Sequence, residues 1–136
     1  SARGMFVTLA CGVFNPESEQ LVFVNAGHLP GLLLPASGKP QLLQAHAPPL
    51  GVLDEIACRE EKYNLAACDL WLFSDGVTEC RTRDGIELGI GGLLKLLQAT
   101  REKTPREPLQ FVVQQLLGDG SDARDDLTLV RLSTRT

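Results

Sequence analysis

The hydrophobic pattern of this chain changes period once and then changes back. Up to Ser74 the apolar residues come in short runs, Met5–Phe14, Leu21–Asn25, Gly31–Leu34 and Asp69–Ser74, the first of them rich in β-branched and aromatic side chains. Runs of this kind, bounded by Pro, Gly, Asn and Asp, predict strands. After Gly89, Leu93, Leu94, Leu96 and Leu97 recur at helical spacing, and so do Phe111, Val112, Leu116 and Leu117. Leu127–Leu132 returns to the strand pattern. Strands, then two helices, then one strand predict an α+β domain with antiparallel hairpins packed under helices.

Local signals refine the order. Met5–Phe14 is apolar almost throughout, which predicts a strand covered on both faces, with Cys11 as a small buried hydrophobe. The polar cluster Asn15–Gln20 joins it to Leu21–Asn25 in a hairpin. Gln41–Gln44 predicts another short strand, and the alternation over Cys58–Leu65 an exposed one. Thr100–Pro108, charged and punctuated by proline, predicts a loop between the helices. Gly118 is a helix stop, and 118–123 reads as a flexible acidic loop.

Composition removes several function classes. No apolar stretch approaches the ~20 residues needed to cross a bilayer. Residues 1–4 carry no apolar signal region, so the reading is a cytoplasmic domain with no membrane partner. The net charge of −4, with basic residues scattered, argues against nucleic acid as a partner. The four cysteines, at 11, 58, 68 and 80, form neither a CxxC pair nor a dense disulfide scaffold.

Two carboxylate features stand out. Asp75-Gly76 closes the apolar run Leu70–Phe73, and Asp125-Asp126 opens the run Leu127–Leu132. Carboxylates at strand ends can meet at one sheet rim although fifty residues separate them. Without adjacent His or Cys, such a set suits hard cations such as Mg²⁺ or Mn²⁺. Taken singly, each is as well explained as a turn or loop residue. Ser74 is not in a GxSxG elbow, and Gly89-Ile-Gly-Gly92 lacks the Lys and Ser/Thr of a phosphate loop. His28, after a strand and a glycine, can reach a site, although a lone histidine there is more often structural.

In order along the chain stand Met5-Phe-Val-Thr-Leu, Asn25-Ala-Gly-His28 with Pro30, Pro49-Leu-Gly51, Leu72-Phe-Ser-Asp-Gly-Val-Thr-Glu79 and Asp125-Asp-Leu-Thr-Leu-Val130. Together they resemble the C-terminal portion of the SpoIIE-like protein serine/threonine phosphatases of the PPM superfamily. The resemblance covers nearly the whole chain and implies a PPM-type fold, two antiparallel sheets flanked by helices. It also implies two Mn²⁺ or Mg²⁺ ions at one edge, positioning and deprotonating a water for in-line attack on a phosphoserine. By match of motif, Asp75 and Asp125 resemble metal ligands of the family. Asp126, Gly76 and His28 are secondary candidates, Gly76 because it permits close backbone packing.

The resemblance also sets expectations about what stands outside the motifs. The family's upstream portion carries two further aspartates, one in a Gly-Asp motif and one in an Asp-x-Ser-Gly-His-Gly motif, and neither motif occurs in this chain at the family's upstream position. Residues 1–136 are therefore expected to be a single partial phosphatase domain with its N-terminal part missing, holding metal weakly or not at all. Ala67-Cys68-Asp69 stands where Pro-Gly-Asp is usual, and Leu88-Gly89 where Phe-Gly is. The implied partners are a phosphorylated regulatory protein, such as an anti-sigma-factor antagonist, and an N-terminal receiver or sensor domain in the parent. Self-association through an exposed sheet edge is a further expectation. The alternative is a pseudophosphatase that uses the scaffold as an adaptor surface in sigma-factor control.

Overall fold

The turn that starts the fold is built by one side chain. Asn15 Oδ1 accepts from the Glu17 N–H at 2.9 Å and the Ser18 N–H at 3.3 Å, and Glu19 takes a left-handed φ of 57°. An Asx turn of this kind reverses the chain without help from tertiary packing. It joins β1 (Leu9–Asn15) to β2 (Gln20–Ala26), paired antiparallel from Leu9↔Ala26 to Asn15↔Gln20. The hairpin read from the sequence is present, with its first strand beginning at Leu9 rather than Met5. Val7, upstream of the strand, makes an antiparallel bridge to Leu50.

A computed structural model of the chain describes residues 4–52, 59–118 and 126–135. The remaining elements are β3 (Gly31–Pro35), β4 (Gln41–Leu43), β5 (Glu61–Asn64), β6 (Cys68–Phe73), α1 (Asp75–Thr78), α2 (Gly89–Lys103), α3 (Pro108–Leu117) and β7 (Leu129–Ser133). The strands form a sheet of order β1-β2-β5 and a sheet of order β4-β3-β6-β7. The described pairings β1–β2, β2–β5 and β3–β4 are antiparallel. The architecture is α+β, as the change of period predicts.

The chain divides into two compact units, Ser1–Leu70 with Leu132–Thr136, and Trp71–Arg131. In the first unit, alternation along β2 and β1 separates a covered face from an open one. Leu21, Phe23 and Asn25 are buried, and Gly12, opposite Phe23, leaves room that Leu21 and Phe23 fill. On the other face Leu9 is 41% exposed and Val13 71%, and Cys11 is exposed between them. The expectation of a strand covered on both faces, with Cys11 buried, is therefore wrong. β1 is the edge strand of its sheet, and a continuous apolar run cannot distinguish burial on two faces from burial on one.

This edge carries neither a charged residue nor a proline in β1, the usual devices against edge-to-edge pairing. Sedimentation velocity should show a mass that rises with concentration, and Val13→Lys should return the chain to a monomer. A strictly monomeric unaltered chain at high concentration would remove the edge as the cause of any association.

Buried Asp69 and the neighbouring Thr134 are both matched. Asp69, 4% exposed, accepts from the Ser133 hydroxyl at 2.5 Å and from Arg135 Nη1 at 3.4 Å. Thr134 reaches the Leu65 carbonyl, and its N–H bonds the Cys68 carbonyl at 3.0 Å. These bonds fix the end of β7 against the start of β6. Asp69→Ala removes the acceptor from both partners and should cost about 2–3 kcal/mol in denaturant unfolding.

In the second unit β6 ends in buried Trp71 and Phe73 and passes directly into α1. α2 turns Leu93, Leu97 and Thr100 inward, and α3 turns Val112 and Leu116 inward. Thr100 is buried because its hydroxyl donates to the Leu96 carbonyl one turn back, at 2.8 Å. The loop expected from Thr100 thus starts later. Helical spacing runs on through Lys103, and Thr104, with φ of 45°, ends the helix. Pro108 occupies the first turn of α3, where its missing N–H is harmless, and Gly118 caps the end as expected. The acidic loop after Gly118 lies outside the described residues.

Candidate functional site

Asp75 is exposed at the start of α1, immediately after the buried strand β6. The four-residue helix itself escapes sequence reading, because Asp-Gly signals a turn and one helical turn has no period. Asp125 lies outside the described residues. Asp126 is described, and its backbone is in direct contact with the α1 segment. Gly76 is buried, and a Cβ added there would fall far inside contact distance of the Asp126 carbonyl oxygen. This close approach is what the glycine of Asp75-Gly76 makes possible.

Ser74 closes the junction. Its N–H donates to the Thr128 carbonyl at 3.0 Å, and its Oγ accepts from the Thr128 N–H at 3.0 Å. The same hydroxyl lies 3.4 Å from the Asp126 carbonyl, which accepts from it. The two segments singled out in the sequence, 74–79 and the stretch entering β7, therefore meet. They meet through backbone and one hydroxyl, and sequence reading passed over Ser74 because its partners lie 52 and 54 positions away.

His28 belongs to another arrangement. Its N–H donates to Asn25 Oδ1 at 2.9 Å, and its Nδ1 lies 3.1 Å from the Leu29 carbonyl, which requires the proton on Nδ1. Buried Asn25 in turn donates to the carbonyls of Leu29 at 3.0 Å and Leu43 at 3.4 Å. The Asn25-Ala-Gly-His28 motif is thus a self-bonded turn.

Thiol nucleophiles are disfavoured. Burial pushes the Cys80 thiol up, and its Sγ donates to the Gly76 carbonyl at 3.3 Å. Burial, followed by the charges of Asp69 and Glu19, pushes Cys68 up as well. Both therefore stay protonated at neutral pH, and neither described contact pairs a thiol with histidine. Cys58 lies outside the described residues.

Among the described residues, no group of three or more His, Cys, Asp or Glu stands close enough to hold a metal. What fits a hard cation is the donor chemistry: carboxylates on two segments whose backbones touch at Gly76 and Asp126. Among the described residues no helix is long and apolar enough to cross a membrane.

The stage II sporulation protein E (SpoIIE) family model matches residues 1–135 of the chain. The phosphoserine phosphatase RsbU of Bacillus subtilis is 30% identical over 131 residues, 94% of this chain and 39% of that protein. Protein IcfG of a Synechocystis strain is 30% identical over 130 residues, 93% of this chain and 20% of that protein. The chain thus spans from about a fifth to two fifths of the length of these relatives.

Two of the solved structures that share the fold illustrate it. One is the PP2C phosphatase domain, with a fragment of the regulatory domain, of the cell fate determinant SpoIIE from Bacillus subtilis. It matches with a TM-score of 0.76 and 19% identity over 96% of this chain and 40% of that one. The other is the RsbU and RsbW domains of Rv1364c from Mycobacterium tuberculosis, with a TM-score of 0.69 and 21% identity over 98% and 38%. The antiparallel sheets and the helices between β6 and β7 are those of a PPM phosphatase domain, and with the family model matching almost end to end, the chain belongs to the SpoIIE family of protein serine/threonine phosphatases.

Proposed function

We propose that residues 1–136 are the C-terminal portion of a metal-dependent phosphatase domain that hydrolyses phosphoserine or phosphothreonine on a cytoplasmic regulatory protein. The contact of Gly76 with the Asp126 carbonyl carries this reading, because it joins the two carboxylate segments that the family's motifs mark. The phosphoserine phosphatase RsbU, 30% identical, supports the substrate class. An anti-sigma-factor antagonist is the favoured substrate. The favoured setting is the output end of a bacterial response regulator or sensor acting in stress signalling.

Asp75 and Asp125, with Asp126 as the secondary candidate, are the residues that would hold Mn²⁺ or Mg²⁺. Bound there, the ions would activate water and offset the charge developing on the transferred phosphoryl group. Asp75 is exposed, so its carboxylate is open to solvent and to a phosphorylated side chain. Gly76 keeps bulk out of the space beside it. Neither Ser74 nor a cysteine acts as nucleophile in this scheme, since the Ser74 hydroxyl is engaged with Asp126 and Thr128.

The test is release of inorganic phosphate from a phosphoserine protein with and without Mn²⁺. It is run on the 136-residue chain and on a chain extended upstream to include the two further aspartate motifs. The extended chain should turn over only with the metal, and the short one should be essentially inactive. An inactive extended chain with all its aspartates intact would move the function to the adaptor reading, binding a partner without hydrolysis.

A further inference from the structure

We infer that Ser74 is a positioning residue: with Gly76 it seats the Asp126 carbonyl and so sets the spacing between the two carboxylate segments. The inference rests on the metal reading above and adds to it a residue that is no ligand.

The position of Ser74 makes a simpler role the first to consider. It stands at the residue before α1 with extended backbone, φ −86° and ψ 165°. A serine there ordinarily turns its hydroxyl onto an N–H of its own helix. Here it makes no such bond. Its carbonyl starts the helix, accepting from the Val77 N–H at 3.0 Å. Its hydroxyl turns across the fold, accepting from Thr128 N–H at 3.0 Å and donating to the Asp126 carbonyl at 3.4 Å. With the Ser74 N–H on the Thr128 carbonyl, three bonds of one residue go to the 126–128 stretch.

Gly76 supplies the other wall. The Asp126 carbonyl lies where a side chain at 76 would begin, so it is held between the hydroxyl of Ser74 and the bare Cα of Gly76. Asp75, the candidate ligand, sits between those two residues in sequence. The carbonyl of the Asp125-Asp126 segment is thus gripped on both sides of Asp75. Hard cations bind well only to oxygens already held at the correct separation, and supporting residues that orient ligands typically change affinity by 10–100-fold. A hydroxyl that does not touch the ion can act on it in this way.

The experiment titrates Mn²⁺ into the chain extended upstream to include the two further aspartate motifs and follows paramagnetic broadening of the amide signals of Asp75, Asp126 and Thr128. Ser74→Ala should weaken binding by about 10–100-fold. Ser74→Thr, which keeps the hydroxyl, should stay near the unaltered affinity, and Gly76→Ala should weaken binding by displacing the carbonyl. A folded Ser74→Ala chain with unaltered affinity overturns the inference. If Ser74→Ala does not fold, Gly76→Ala with unaltered affinity, or a folded Ser74→Thr chain that has lost affinity, overturns it instead. Asp75→Asn separates the two levels. If the unaltered extended chain shows no Mn²⁺ broadening, or Asp75→Asn leaves it unchanged, the metal reading itself falls, and the role of Ser74 falls with it. Loss in Asp75→Asn with no loss in Ser74→Ala removes only the positioning role.

Discussion

In the chain extended upstream, Asp75→Asn is expected to lower Mn²⁺-dependent phosphate release by at least about 10³-fold, the equivalent of roughly 4 kcal/mol in the barrier. Asn keeps the size of the side chain but takes away the charge, and a neutral amide oxygen is a weaker ligand for a hard cation. The fold should tolerate the change. Asp75 is exposed, and the described bond of its residue to Thr78 Oγ1, 3.1 Å, uses the backbone carbonyl rather than the carboxylate. A Tm within a degree or two of the unaltered chain, together with lost turnover, would place the effect in the chemistry. Equal losses of stability and activity would instead make Asp75 a structural residue. Asp125→Asn should behave alike, and Asp126→Asn should retain most activity if Asp125 is the ligand. The reverse ranking of the last two would transfer the role to Asp126.

How much of this was legible in the sequence depends on the range of the interaction. β6 and α3 were plain because each carries a local pattern, an apolar run in Leu70–Phe73 and helical spacing from Phe111 to Leu117. The end of α2 was not, because Thr100 looks polar until its hydroxyl is seen to bond the Leu96 carbonyl of its own helix. The exposure of β1 was hidden for a different reason. Leu9, Cys11 and Val13 have the composition of a buried face, and only the strand order shows that β1 stands at an edge. At the site, Asp75 and the Asp125-Asp126 pair were legible as carboxylates at the ends of apolar runs, with Asp125 the favoured ligand. Their meeting through Gly76 was not, since a glycine in Asp-Gly explains itself locally as a turn. The hydroxyl of Ser74 was least legible of all, its partners being more than fifty residues away.

The second large effect expected is on stability, at Gly27. Gly27 has a left-handed φ of 70°, and a Cβ there would come within 2.6 Å of Pro49 Cδ and 2.7 Å of Pro49 N. The second contact is with backbone, so no rotamer change relieves it. Strain at positive φ and overpacking each cost about 1–3 kcal/mol, so Gly27→Ala should lose about 3–5 kcal/mol. For a chain of this size that lowers Tm by roughly 10–20 °C, readable by circular dichroism. The reason lies in how two motifs fit together. Asn25 holds the 25–29 turn through His28 N–H and the Leu29 carbonyl, while Ala26 bridges to Ala47 and the His46 N–H donates to the Asn25 carbonyl at 3.1 Å. These bonds bring the strand carrying Asn25-Ala-Gly-His28 against the segment carrying Pro49-Leu-Gly51, and only glycine at 27 lets Pro49 close onto it. On this argument the first motif is a clasp between two chain segments, and His28 is one of its parts rather than a group of the site. His28→Ala should therefore cost only about 0.5–1.5 kcal/mol, the worth of its side-chain bond to the Leu29 carbonyl. Turnover of the extended chain should be nearly unchanged by it. A His28→Ala chain of normal stability with turnover down tenfold or more would return the histidine to the site. A Gly27→Ala chain of normal stability would show that the clasp does not bear on Pro49 at all.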